Sequence, residues 1–179
     1  MTRYVALLRA VNVSGHNMVS MPALRQLFES LGYDDVSTYI QSGNVIFRAA
    51  PKLAATMPKL IPARITERFG HRTPVILRTP GQLGETVRNN PFLKAGAAEN
   101  TLHVAFLADA PPPRAVEALD PDRSPPDQFI VRERDIYLRL PNGGGRTKLT
   151  NSYFDSKLGT VSTIRNWRTV LKLLELLSA

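Results

Sequence analysis

The sequence predicts an α+β protein, with a ferredoxin-like βαββαβ N-terminal half and a second half that contains a βαββ run and ends in helices. Three observations predict it. Short apolar runs alternate with apolar stripes at helical spacing. Up to residue 79 the elements follow the order β-α-β-β-α-β, the split βαβ plan. The order β-α-β-β then starts again after residue 100, with no visible sequence repeat.

The elements follow in order. "YVALLRAVNV" (4–13) is short and rich in apolar residues, as in a buried central strand. "MPALRQLFESLGY" spaces Leu24, Leu27, Phe28 and Leu31 as one helix face, with Pro22 early and Gly32 as a stop. "VSTYI" and "NVIFRA" flank "QSG", a tight hairpin in which Gly43 supplies the positive φ. Residues 52–69 read as helix, broken or kinked by Pro58 and Pro62. "TPVILRT" is the last strand of the half, and a helix runs from Pro80 to about Asn89. The second half reads as strand "TLHVAFLAD", short helix "PPPRAVEALD", hairpin "QFIVRE"–"IYLRL", and a helix starting near Thr150. From Ile164 to about Leu177 a final helix is predicted, with Ile164, Trp167, Leu171 and Leu174 in one apolar stripe. The expected domains are 1–79 and 80–179, with linkers or loops at 93–100 and 121–126.

Composition narrows the function classes. The 179 residues are 43% hydrophobic, enough for one domain or two small ones with real cores. There is no cysteine, which excludes disulfides, thiolate metal sites and cysteine nucleophiles, and suits a reducing cytoplasm, the expected compartment. His16, His71 and His103 lie far apart without ligand spacing, so no metal site is expected, and no motif implies a cofactor. No run of about 18 apolar residues exists, so no membrane partner is expected. Nothing in the sequence sets the oligomeric state.

The net charge of +8 points to nucleic acid or another anionic ligand as partner. Residues 146–172 hold six cations against the single carboxylate Asp155. Arg165, Arg168 and Lys172 would form a basic stripe on the last helix, beside an apolar face anchored by Trp167. "PNGGGRTKLTN" (141–151) adds Arg146 and Lys148 to three glycines whose backbone N–H groups can turn toward an anion. It is not a P-loop, because Thr147 precedes Lys148. The polyanion-binding set read from the sequence is therefore Arg146, Lys148, Arg165, Arg168 and Lys172.

A second polar concentration follows from topology. In the split βαβ plan, the end of strand one and the hairpin between strands two and three share one sheet edge. That edge gathers Asn12, Ser14, Gly15, His16 and Asn17 with Gln41, Ser42, Gly43 and Asn44, and Arg9 lies next to it. Such groups suit hydrogen bonding to a ligand or to a neighbouring loop. They contain no carboxylate pair or activated nucleophile, so no catalytic residue can be named.

"YVALLRAVNVSGHN", "YIQSGNVIF" and "KLTNSYFDSKLGTVSTIRNWRTVLKL" resemble the bacterial domain-of-unknown-function family 1697, in the same order and nearly end to end. Members commonly read Arg-Gly-Ile-Asn-Val-Gly-Gly near the start, where this chain has Ala10, Val11 and Ser14 in place of a glycine, an isoleucine and a glycine. The resemblance implies a bacterial, cytoplasmic α/β protein with a ferredoxin-like N-terminal half. It implies no activity.

Three functions remain open at this level. The first is a nucleic-acid or polyanion binder acting through the C-terminal cations. The second is a binder or enzyme for a small phosphorylated or carboxylated molecule at the polar edge (Arg9, Asn12, His16, Asn17, Gln41, Ser42, Asn44). The third is a structural or partner-binding protein. The third strand lacks the basic-glycine-aromatic pattern of RNA-recognition sheets, so base stacking there is not expected.

Overall fold

A computed structural model describes residues 1–12 and 15–179; Ser14, one of the polar-edge residues, lies outside the described residues. The chain divides into two compact units, Met1–Leu83 with Leu173–Ala179, and Gly84–Lys172.

Unit 1 is built as β1(Thr2–Leu8), α1(Met21–Ser30), β2(Asp34–Tyr39), β3(Asn44–Ala49), α2(Pro51–Ala54), α3(Met57–Phe69) and β4(Val75–Arg78). The sheet order is β2-β3-β1-β4, and all pairs are antiparallel. The third strand thus lies between the first and second, as the order of elements requires. α1 starts where it does because the Ser20 side chain accepts from the Ala23 N–H, and Pro22 stands in its first turn. Ala6, Leu8, Val45 and Phe47 on one sheet face meet Leu24, Phe28, Ile61 and Ile65 in one core. Phe47 gathers Tyr4, Phe28 and Tyr33 at ring distances of 5.0–5.7 Å.

β1 stops at Leu8, short of the expected Val13, because Ala10 and Asn12 take φ values of 57° and 56° that no strand continues. The helix expected over 52–69 is split at Ala55–Thr56, ahead of Pro58; Pro62 stands inside a continuous α3. Gly70, in the left-handed region, ends that helix.

The helix α4(Pro80–Arg88) and the short α5(Pro91–Lys94) follow. Unit 2 is then β5(Leu102–Leu107), α6(Pro113–Glu117), β6(Gln128–Arg132), β7(Asp135–Arg139), α7(Asn151–Leu158) and β8(Ser162–Asn166), before α8(Trp167–Ser178). Its sheet order is β6-β7-β5-β8, again antiparallel throughout. Ala105, Leu107, Ile136 and Leu138 pack with Tyr153, Phe154 and Leu158.

One expectation is corrected here. Residues 162–166 are a strand, not the start of the last helix, because they pair along β5 from Leu107↔Ser162 to His103↔Asn166. That extra strand completes a second βαββαβ set. The division between the two units falls inside α4, and residues 173–179 belong to the first unit. Arg3 ties them there, with Nη1 donating to the carbonyls of Leu176 (3.4 Å) and Ala179.

In each sheet the face opposite its core cluster is buried as well. In unit 1 it carries Val5, Leu7, Ile46 and Ile76, and in unit 2 Val104, Phe106 and Tyr137, all at 6% exposure or less.

Candidate functional site

The loop between β7 and α7 holds two of the expected cations. After Leu140, Gly143 takes φ 79° and its N–H donates to the Leu140 carbonyl at 3.0 Å. A side chain at Gly144 would come within 3.8 Å of His103 Nε2, so the loop lies against that ring; at Gly145 the space is open. Further on, the Lys148 N–H donates to Ser124 Oγ at 3.0 Å and the Leu149 N–H to Thr147 Oγ1 at 3.1 Å. Thr150 then caps α7, its oxygen accepting from the Tyr153 N–H at 3.2 Å. The backbone is anchored on both sides of the cations, while the side chains of Arg146 and Lys148 are exposed and make no ion pair among the described residues.

Beside this loop is a cleft of about 210 Å³ lined by Ser124, Asp127, Asn142, Gly143, Arg146 and Thr147. Asp127 is 9% exposed and accepts from Ser124 Oγ at 2.8 Å. A small anion inside the cleft would meet that carboxylate, so the loop suits an anion on its rim, not within the cleft.

The C-terminal stripe is not formed as expected. Arg165 belongs to β8, is 8% exposed, and donates from Nη1 to Thr163 Oγ1 (2.8 Å) and the Ile164 carbonyl (3.0 Å). Burial pushes its pKa down to about 10, so it stays charged at neutral pH. It cannot share a helix face with Arg168 and Lys172, which stand on α8, Arg168 exposed and Lys172 half-buried. Trp167 is 1% exposed, a core residue at the first position of α8. The buried line of that helix is Trp167, Val170, Leu173 and Leu177, not Ile164, Leu171 and Leu174.

At the polar edge, the β1 loop and the 41–44 hairpin do meet. Asn12 Nδ2 donates to the Gln41 and Val19 carbonyls, both at 2.9 Å, and Asn12 Oδ1 accepts from the Val19 N–H at 2.8 Å. Asn17 Nδ2 donates to the Ala10 carbonyl at 3.1 Å. Asn44 is fully buried and donates to the Tyr39 carbonyl (3.1 Å) and Ser42 Oγ (2.9 Å). These amides are engaged in holding the two loops together. His16 and Gln41 are exposed; Arg9, which lies past the end of β1, is half-buried. Ala10 and Ile40 add left-handed backbone at this edge, φ 57° and 48°, where side chains with a Cβ are strained.

Two features escaped the sequence reading. Unit 1 carries 10 Lys and Arg against 5 Asp and Glu, and unit 2 carries 13 against 10, so the larger excess is in unit 1. It gathers along α2 and α3, where residues 52–72 hold Lys52, Lys59, Arg64, Arg68 and Arg72 against Glu67 alone. The signal was a plain charge count, masked by the denser run at 146–172. The second feature is a hydroxyl network in unit 2, beside a cleft of about 470 Å³. Tyr137 OH donates to the Thr86 carbonyl at 2.8 Å, and Thr86 Oγ1 to Asp135 Oδ2 at 2.6 Å. Burial, and then the Asp135 charge, raise the Tyr137 pKa, so the phenol stays protonated. No spacing in the sequence brings residues 86, 135 and 137 together.

Among the described residues, no group of His, Asp and Glu could hold a metal ion, and no helix is long and apolar enough to cross a membrane.

Fold and surface together define a class, an α+β protein of two units that share one strand order, with a loop that exposes two cations. The family described as "protein of unknown function (DUF1697)" matches residues 1–137, and the chain belongs to that family. A solved structure, that of the conserved bacterial protein SP0830 from Streptococcus pneumoniae, is similar over 100% of this chain and 99% of its own, with a TM-score of 0.74 and 21% identity. At that identity the likeness concerns the fold alone. No curated protein matches the chain.

Proposed function

We propose that this protein binds polyanions, nucleic acid first among them, by contacts to phosphates through the 141–150 loop. The observation that carries the reading is the pair Arg146 and Lys148, exposed and without ion-pair partners among the described residues, on a loop anchored on both sides. Arg168, also exposed, adds a third cation of the same unit. The 141–150 loop carries no aromatic residue. Bases therefore have no ring of this loop to stack on, and recognition there rests on backbone charge without sequence preference.

The test is fluorescence anisotropy of a labelled single strand at rising salt. Two phosphate contacts give a log–log slope of about −1.4. Replacing Arg146 and Lys148 with glutamine should weaken binding and flatten the slope, with folding intact. Absence of binding at low salt, where charge is least screened, would end the reading. An unchanged slope in the double variant would remove the loop from it.

A further inference from the structure

We propose that the outer edge of β6 pairs with the same edge of a second copy of this chain, antiparallel about a two-fold axis at Ile130. β6 stands at one end of the order β6-β7-β5-β8, wholly in unit 2. The Leu107 N–H donates to the Arg134 carbonyl at 2.8 Å and the Leu140 N–H to the Thr101 carbonyl at 2.7 Å. Even-numbered residues from 134 to 140 therefore turn their backbone groups to β5, and Asp135, Tyr137 and Arg139 turn theirs to β6. Opposite those three stand Arg132, Ile130 and Gln128. Phe129 and Val131 are left with N–H and C=O directed outward, and neither makes another hydrogen bond among the described residues.

The other edges are closed to such pairing. β4 and β8 are mostly buried. β2 is interrupted by a bulge between Asp34 and Ser37, with Asp35 at φ 48° and both aspartates exposed. Bulges and charges of this kind keep an edge from pairing. β6 has neither in its middle: its register with β7 is unbroken, and Phe129, Ile130 and Val131 are half-buried.

The strand also complements itself. Pairing about Ile130 sets Phe129 against the partner's Val131 on both sides of the axis, and each such pair exchanges both backbone bonds. Phe129 and Val131 already pack on the apolar cluster of unit 2, which the second strand would extend. On the opposite face Ile130 meets its own copy. Gln128 falls opposite the partner's Arg132, so no like charges oppose each other along the strand. One short strand edge is small beside the roughly 1,200 Å² of surface that stable complexes bury, so the dimer should be weak, with a Kd of about 10 μM to 1 mM.

This pairing does not rest on the 141–150 loop. The test is sedimentation equilibrium across that concentration range, in which the wild type should pass from monomer to dimer. Val131→Pro removes an outward N–H without touching the bonds to β7, so it should stay monomeric with unchanged far-ultraviolet circular dichroism. The chain has no cysteine, so Ile130→Cys introduces a single thiol. Across the axis its Cβ would lie about 5 Å from its copy, within reach of a disulfide, and oxidised glutathione should give a covalent dimer. Arg132→Cys, about 13 Å from its copy in this register, should not cross-link. A wild type that is monomeric at the top of the range would overturn the proposal and leave the edge to a strand of another protein. So would a folded Val131→Pro variant that dimerises like the wild type, or cross-linking of Arg132→Cys in place of Ile130→Cys. Should Val131→Pro unfold, the two cysteine variants decide. Arg146→Gln, Lys148→Gln should dimerise normally, so failure of the loop reading and failure of this one are separable.

Discussion

Arg78 and Arg165 hold the same place in the two sheets, Arg78 opposite Val5 and Arg165 opposite Val104. Each is nearly buried, and each Nη1 donates to the carbonyl of the residue before it at 3.0 Å. Around them Val5-Ala6-Leu7-Leu8 corresponds to Val104-Ala105-Phe106-Leu107, and Asn44 opposite Leu7 corresponds to Asp135 opposite Phe106. The two units thus repeat one plan down to strand register. A buried arginine at the same point of both is part of that plan, which places Arg165 with the architecture and not with the binding surface.

Arg165→Gln should therefore destabilise the protein, by about 1–3 kcal/mol, because it removes a buried donor from Thr163 Oγ1 and the Ile164 carbonyl. Arg168→Gln, at an exposed position, should stay within about 0.5 kcal/mol of the wild type. Urea denaturation of the two variants checks this, and equal midpoints would contradict it.

Trp167→Ala should cost about 3–5 kcal/mol, since the indole is 1% exposed and its loss leaves a large cavity at the start of α8. The thermal midpoint is the readout. A midpoint near that of the wild type would mean that the cavity collapses at little cost.

Gly43→Ala should destabilise by about 1–3 kcal/mol. Gly43 has φ 79°, and a Cβ there would lie 2.9 Å from Leu8 Cβ, while its carbonyl accepts from the Leu8 N–H at 2.8 Å. Gly145→Ala, in open space, is the control and should be nearly neutral. Similar losses in the two would argue against the close approach.

His103 makes stability fall on the acid side of neutrality. Burial lowers its pKa below the ordinary 6.5, against a smaller opposing effect of the Thr101 backbone. The unfolded chain therefore takes up the proton first. The stability carried by the neutral ring is whole above about pH 6.5 and is lost as pH falls through the depressed folded value. Melting curves from pH 7.5 down to 5 should show a steeper decline for the wild type than for His103→Gln. Parallel curves would remove His103 as the cause.

Local chemistry determined much of this protein in advance. Ser20 and Pro22 start α1, Gly43 turns the first hairpin, Thr150 caps α7, and the apolar spacing within each element marks its buried side; each signal sits within a few residues of what it sets. Trp167 was legible as a core residue for the same reason. The strand β8 was not. Ser162–Asn166 is five residues long and adjoins a strong helical pattern, and its conformation depends on pairing with β5, nearly sixty residues earlier. That pairing buries Arg165, which by sequence alone sits on a helical stripe. Hydrogen-bond needs of single turns are local and can be read from neighbouring residues. Which strand a short segment joins, and which charges that leaves in solvent, is decided by contacts distant in sequence, and only the tertiary structure contains them.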